Sequence, residues 1–70
     1  MSDHVYSVTE VVGTSTKGVD DAIATAVARA SETVRNLEWF EVLHTRGHIV
    51  DGKVAHVQVT MKLGFRLDPA

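Results

Sequence analysis

The sequence predicts an α+β fold with element order β-α-β-β, in which one helix lies on one face of a three-stranded antiparallel sheet. Three observations carry that reading. Apolar residues at Val19, Ala22, Ile23, Ala26, Val27, Ala30, Val34 and Leu37 follow the three- and four-residue spacing of an amphipathic helix. Two apolar-rich runs, 39–50 and 53–67, are joined by Asp51-Gly52, a dipeptide suited to the type I′ turn of a two-residue hairpin. A valine-rich segment ahead of the helix ends at a glycine, as a first strand would.

That first strand is read over His4 to Val12 and ends at Gly13-Thr14-Ser15. Neither of its faces is cleanly polar: Tyr6, Val8, Glu10 and Val12 alternate with Val5, Ser7, Thr9 and Val11, a pattern fitting partial burial on both sides. The helix opens after Gly18 as N-cap, with Asp20 and Asp21 where the helix dipole favours anions. Arg29 and Arg35 lie toward its other end and Asn36 marks the exit. Alanines on its apolar stripe allow a close approach to the sheet.

With Val50 opposite Lys53, paired residues in the hairpin have numbers that sum to a constant, and side-chain chemistry agrees with this register. One face then pairs Phe40 with Leu63, Val42 with Met61 and His44 with Val59. The other pairs Glu41 with Lys62, Thr45 with Gln58 and Trp39 with Gly64. The last strand alternates without a break, Ala55, Val57, Val59, Met61, Leu63, Phe65 and Leu67 turning toward the helix. The opposite face of the sheet is left uncovered.

Seventy residues form one domain, 1–70, and such a short chain leaves much apolar surface in water, so self-association is expected. A formal net charge of -2 without a basic run argues against nucleic acid as a partner. The absence of cysteine removes disulfides, thiolate nucleophiles and cysteine-ligated metals. Neither a secretory leader nor a membrane-spanning apolar run is apparent, which sets a cytoplasmic location with no membrane partner as the expectation.

Four histidines raise the question of a metal. His44 and His48 are spaced as on a helix, but on a strand they stand roughly 13–14 Å apart. His56 falls on the opposite face from His44 and His4 lies near a terminus, so surface or interface histidines are expected and no metal. Gly13-Thr14-Ser15-Thr16-Lys17-Gly18 keeps two glycines of a phosphate-binding loop, but Val19 and Asp20 stand where that motif needs Lys and Ser or Thr. No nucleophile elbow or zinc-protease helix is present, and Glu41 is better explained by pairing with Lys62. Trp39 is the unusual residue. It shares a face with Gln58 and Arg66, opposite Gly64, which carries no side chain to cover the indole. A subunit interface and a platform for a planar ligand explain it equally well.

Taken together, His4-Val5-Tyr6, Gly13-Thr14-Ser15, the helix from Ala22 to Ala30, Asn36-Leu37-Glu38-Trp39-Phe40-Glu41-Val42, Thr45-Arg46-Gly47, Gly52-Lys53-Val54-Ala55-His56, Gln58-Val59 and Leu63-Gly64-Phe65-Arg66-Leu67 resemble the dodecins. The resemblance implies strand order 1-3-2 around the helix and a hollow homododecamer that binds flavin in stacked pairs between tryptophans of symmetry-related subunits. It assigns Trp39 to stacking, Gln58 to the polar edge of the isoalloxazine ring, and Arg46 and Arg66 to the phosphate of FMN. Riboflavin or FAD are alternative flavins, and some bacterial members bind coenzyme A as well. The hairpin register puts Arg46 on the face away from Trp39, so a local bulge or a neighbouring subunit would have to bring it to the ligand. The function implied is storage and photoprotective quenching of flavin, not catalysis. A flavoenzyme fits less well, because a ring sandwiched between aromatics offers no open face to a substrate. A structural or partner-binding particle without flavin is the other class.

Overall fold

The computed structural model describes residues 3–69. Its elements are β1 (Tyr6–Ser15), α1 (Val19–Ser31), β2 (Leu37–Val50) and β3 (Lys53–Arg66), in an antiparallel sheet of order β1-β3-β2. The expected fold class and strand order are both present. The long β2–β3 hairpin turns at Asp51 and Gly52 with φ of 53° and 74°, the two left-handed residues that a type I′ turn requires.

Two element boundaries differ from the sequence reading. β1 begins two residues later than expected, at Tyr6, and runs on through Gly13-Thr14-Ser15. Gly13 is there for contact and not for a strand end: a Cβ would collide with the Ala22 carbonyl oxygen and lie 3.0 Å from Ala26 Cβ. The bare backbone lets α1 settle directly on the strand. Ser15 closes the corner, its Oγ donating to Asp21 Oδ2 (2.6 Å) and accepting from the Lys17 N–H (2.8 Å). Gly18 is the N-cap, as expected, with the first helical bond from Ala22 N–H to its carbonyl.

At its other end α1 stops at Ser31, so Val34 and Leu37 do not belong to the helical stripe. Hydroxyls compete for the last carbonyls: Ser31 Oγ donates to the Ala28 carbonyl (2.8 Å) and Thr33 Oγ1 to that of Ala30 (3.5 Å). Asn36 then turns the chain with φ 65°. Its Nδ2 donates to the Arg66 carbonyl and to Asp68 Oδ1, both at 3.0 Å, while Arg35 pairs with Asp68. Leu37, at the start of β2, packs against the core cluster.

The constant hairpin register holds at both ends and fails in the middle. Trp39↔Gly64, Phe40↔Leu63, Glu41↔Lys62 and Val42↔Met61 pair as expected. Leu43 is then an extra residue, and the register continues one step shifted as His44↔Thr60, Thr45↔Val59, Arg46↔Gln58 and His48↔His56. Neither His44–Val59 nor Thr45–Gln58 forms. A second irregularity, at Ala55, restores Ile49↔Val54 and Val50↔Lys53, and a third, at Glu38, separates Leu37↔Phe65 from Trp39↔Gly64. Each extra residue reverses which side chains face the helix.

The core is Ala22, Val59, Met61 and Leu63, all but removed from solvent, with Val11, Ile23, Ala26, Val27, Ala30, Leu37 and Val57 packed on it. On β1 the helix side carries Ser7, Thr9, Val11, Gly13 and Ser15, and Tyr6, Val8, Glu10 and Val12 face outward. α1 lies over β1 and β3, leaving Phe40 49% and Val42 39% exposed although they pair with buried Leu63 and Met61. On the outer face Val8 and Val12 are also open. Apolar area on both faces of a 56 × 20 × 14 Å chain thus lacks cover within the chain itself.

Candidate functional site

Trp39 is placed on the outer face by the irregularity at Glu38. In an uninterrupted strand Leu37 and Trp39 would share a face, but here Leu37 packs inward and Trp39 lies across Gly64. A Cβ on Gly64 would come within 2.5 Å of Trp39 Cδ2 and closer still to Cε2 and Cζ2, so the indole rests flat on bare backbone. It keeps 41% of its surface exposed. An apolar notch of about 140 Å³, lined by Val27, Leu37, Glu38, Trp39, Phe40 and Leu63, opens beside it.

Charged groups flank this plate. Arg66, two residues from Gly64 along β3, pairs with Tyr6 of β1 in the sheet. Between them Glu38 reaches over from β2: Oε1 accepts from the Tyr6 hydroxyl (2.9 Å) and Oε2 lies 3.5 Å from Arg66 Nη1. The hydrogen bond to the Glu38 carboxylate, with smaller contributions from desolvation and from its negative charge, raises the Tyr6 hydroxyl above its ordinary pKa of 10.0, partly opposed by Arg66.

A second cluster lies farther along the same face. The extra residue at Leu43 turns Arg46 outward and sets it opposite Gln58, where Arg46 Nε donates to Gln58 Oε1 (3.4 Å). The expectation that Arg46 points away from Trp39 is corrected, and the local bulge foreseen as one remedy supplies the reversal. The same shift brings His48 and His56 together, their rings stacked with centroids 5.0 Å apart and planes 15° from parallel. His56 is therefore on the same face as His44 and His48. Among the described residues no three His, Cys, Asp or Glu side chains are grouped to hold a metal ion.

The four residues singled out from the sequence thus share one face in two separate pairs, Trp39 with Arg66 and Gln58 with Arg46. Gly64 lies six residue steps from Gln58 along β3, roughly 20 Å at the rise of a strand. A three-ring heterocycle stacked on Trp39 cannot reach Gln58 of the same chain. It can meet both residues where two copies of the chain face each other.

Comparison with known proteins gives the family. The profile of the dodecin family matches residues 5–68. The chain belongs to the dodecin family. A curated dodecin from Thermus thermophilus is 48% identical over 64 residues, covering 91% of this chain and 93% of that protein. The solved dodecin from Streptomyces coelicolor is 63% identical, with a TM-score of 0.91 over the whole of both chains. The dodecin from Streptomyces davaonensis is 59% identical, with a TM-score of 0.91 over 97% of this chain and 100% of its own.

Glu38 and Tyr6 were not singled out by sequence reasoning. Glu38 is one of several exposed acids, and its role depends on a bulge that alternation does not reveal. Tyr6 meets Arg66 through the β1–β3 register, which no tight turn fixes in the sequence. A weak signal exists: Leu37 and Trp39 are both large and apolar at alternate positions, yet Gly64 calls for Trp39 on the face opposite the core.

Proposed function

We propose that this dodecin binds flavin, FMN in preference to riboflavin, in a closed homododecamer that stores the cofactor and quenches its photochemistry. The observation that carries the reading is the indole of Trp39, laid flat on Gly64 and open to solvent on its other side. An electron-rich ring held this way is a stacking platform for an electron-poor planar heterocycle. The residues fit the group: a Cβ at Gly64 would lift the platform, and the uncovered outer face leaves room for a ring and a second copy of the chain above it.

Bound flavin supplies light absorption and redox chemistry. Trp39 would stack on the ring, and its electron-rich indole would be the donor able to quench the ring's fluorescence. Gln58 presents an amide with donor and acceptor side by side, the complement of a ring edge carrying both. Arg46, already oriented by Gln58, and Arg66 beside the plate bind phosphate by charge-assisted hydrogen bonds. With Trp39 and Gln58 roughly 20 Å apart, the complete site takes residues from more than one subunit. A ring sandwiched between aromatics offers no open face to a substrate, which favours a binding protein over a flavoenzyme. Nor does any grouping add support for coenzyme A as a second ligand. Among the described residues no helix is long and apolar enough to cross a membrane.

Titration of FMN with purified protein tests the reading. Stoichiometric loss of flavin fluorescence is expected, together with a particle of twelve subunits in light scattering. Undiminished fluorescence at excess protein would refute flavin binding and leave Trp39 as an interface residue in a purely structural particle.

A further inference from the structure

We propose that Glu38 sets how strongly the site prefers a phosphorylated flavin, by acting as a built-in anion that occupies Arg66 until a ligand phosphate displaces it. This rests on the flavin-binding reading above and names a specificity-determining residue within it.

Three observations place Glu38 in that role. It is the extra residue of the irregularity between Leu37 and Trp39, so its side chain is carried over the outer face and not into the alternation of β2. Both of its carboxylate oxygens are engaged from other strands, Oε1 by the Tyr6 hydroxyl of β1 at 2.9 Å and Oε2 by Arg66 Nη1 of β3 at 3.5 Å. It also immediately precedes Trp39 in β2, so it sits at the margin of the plate on which the ring would stack.

An anion approaching Arg66 therefore meets a carboxylate already paired with the guanidinium. To bind there, phosphate must take the place of Glu38 or accept a like charge within a few ångströms, and either one weakens the gain from Arg66. Riboflavin, which lacks the phosphate, is indifferent to this competition. Tyr6 makes the arrangement asymmetric: its hydroxyl holds Glu38 by the oxygen that does not face Arg66, and so keeps the carboxylate near the plate when Arg66 turns to a ligand. Among the described residues Arg46 has no such competitor. Its partner is the neutral amide of Gln58, so the two arginines differ in how freely they meet phosphate.

The test is Glu38→Gln, which keeps an acceptor for Tyr6 and removes the negative charge, with Glu32→Gln at the end of α1 as a control of equal net charge. FMN and riboflavin are titrated separately against each protein by flavin fluorescence. Glu38→Gln is expected to raise FMN affinity relative to riboflavin by about 1.4- to fivefold at low salt, the range of an exposed ion pair. Glu32→Gln is expected to leave that ratio unchanged. A second readout uses no ligand: Tyr6 is the single tyrosine, so the phenolate absorbance of the assembled protein reports its ionisation. Its midpoint lies above 10.0 in the wild type and falls in Glu38→Gln. Flavins that bind with the same FMN-to-riboflavin ratio in wild type and Glu38→Gln would overturn the role of Glu38 while leaving flavin binding intact. Failure of the wild type to bind either flavin would overturn both.

Discussion

Replacing Gly64 with alanine adds one methyl group to β3 and tests the feature on which the proposed stacking depends. Its Cβ would lie 2.5 Å or less from three atoms of the Trp39 indole, whereas carbon atoms in contact settle at about 3.5–4.0 Å. The ring must therefore rise or tilt by roughly 1 Å or more, or swing off the sheet altogether. Trp39 is 41% exposed and can move, which limits the cost of this overpacking to roughly 1–3 kcal/mol of stability. For the ligand the consequence is larger. A plate that is displaced or no longer parallel loses its contact with a second ring, so flavin affinity should fall about as far as in a variant without the indole, roughly 5- to 150-fold. Fluorescence titration with riboflavin, which removes any contribution from the phosphate, is the cleanest assay, paired with a denaturant melt of the assembled protein. Wild-type affinity and an unchanged melt in Gly64→Ala would show that the indole does not rest on this backbone, and the stacking argument would fall with it.

Trp39→Ala should weaken flavin by about the same 5- to 150-fold while leaving the particle assembled in light scattering; loss of assembly first would assign Trp39 to the interface. FMN should bind about tenfold tighter than riboflavin from a charge-assisted contact, and Arg46→Ala should narrow that ratio, as should added salt, without affecting riboflavin. Gly13→Ala places a Cβ against the Ala22 carbonyl and 3.0 Å from Ala26 Cβ, so α1 must back away from β1 and thermal melts should show a loss of roughly 1–3 kcal/mol. Because Tyr6 ionises above its ordinary pKa of 10.0 in the folded chain, its stabilising contribution is present below about pH 10 and is lost as pH rises through the folded value. The stability difference between wild type and Glu38→Gln, in which the charge is removed and the contribution reduced, should therefore narrow in alkaline melts.

Much of this fold is legible in the sequence because strong local signals coincide. The Asp51-Gly52 turn fixes the start of the hairpin register, and the alternation from Val57 to Leu63 matches the buried row Val59, Met61 and Leu63. What was not legible are boundaries set by tertiary contact. Gly13 reads as a strand terminator until the helix is seen lying on it, and Val34 and Leu37 keep helical spacing although α1 has ended at Ser31 and Asn36 has turned the chain. Of the proposed site, Trp39, Gln58 and Arg66 were placed on the right face by alternation alone. Arg46, His44 and the pairing of His48 with His56 were not, since all lie beyond the extra residue at Leu43.

The irregularities in β2 are where the outer face acquires its chemistry. A regular strand from Leu37 to Val50 would turn Leu37, Trp39, Glu41, Leu43, Thr45, Gly47 and Ile49 to one side, so Arg46 and His48 would point to the other. The extra residue at Glu38 lets Leu37 enter the core while Trp39 leaves it, and it swings a carboxylate onto Arg66 and Tyr6. The extra residue at Leu43 sets Arg46 in place of Thr45 opposite Gln58. Two bulges thus convert one continuous sheet face into two polar stations roughly 20 Å apart, neither of which is complete for a planar anionic ligand. The exposed side chains of Val8, Val12, Phe40 and Val42 make the same demand from packing. Bringing a second copy over the outer face would cover Val8 and Val12 and set one chain's indole against the other chain's amide. Burial of Val8 and Val12 and recognition of the proposed ligand would then be met by one assembly step, whereas Phe40 and Val42, on the helix side, call for a separate contact between copies.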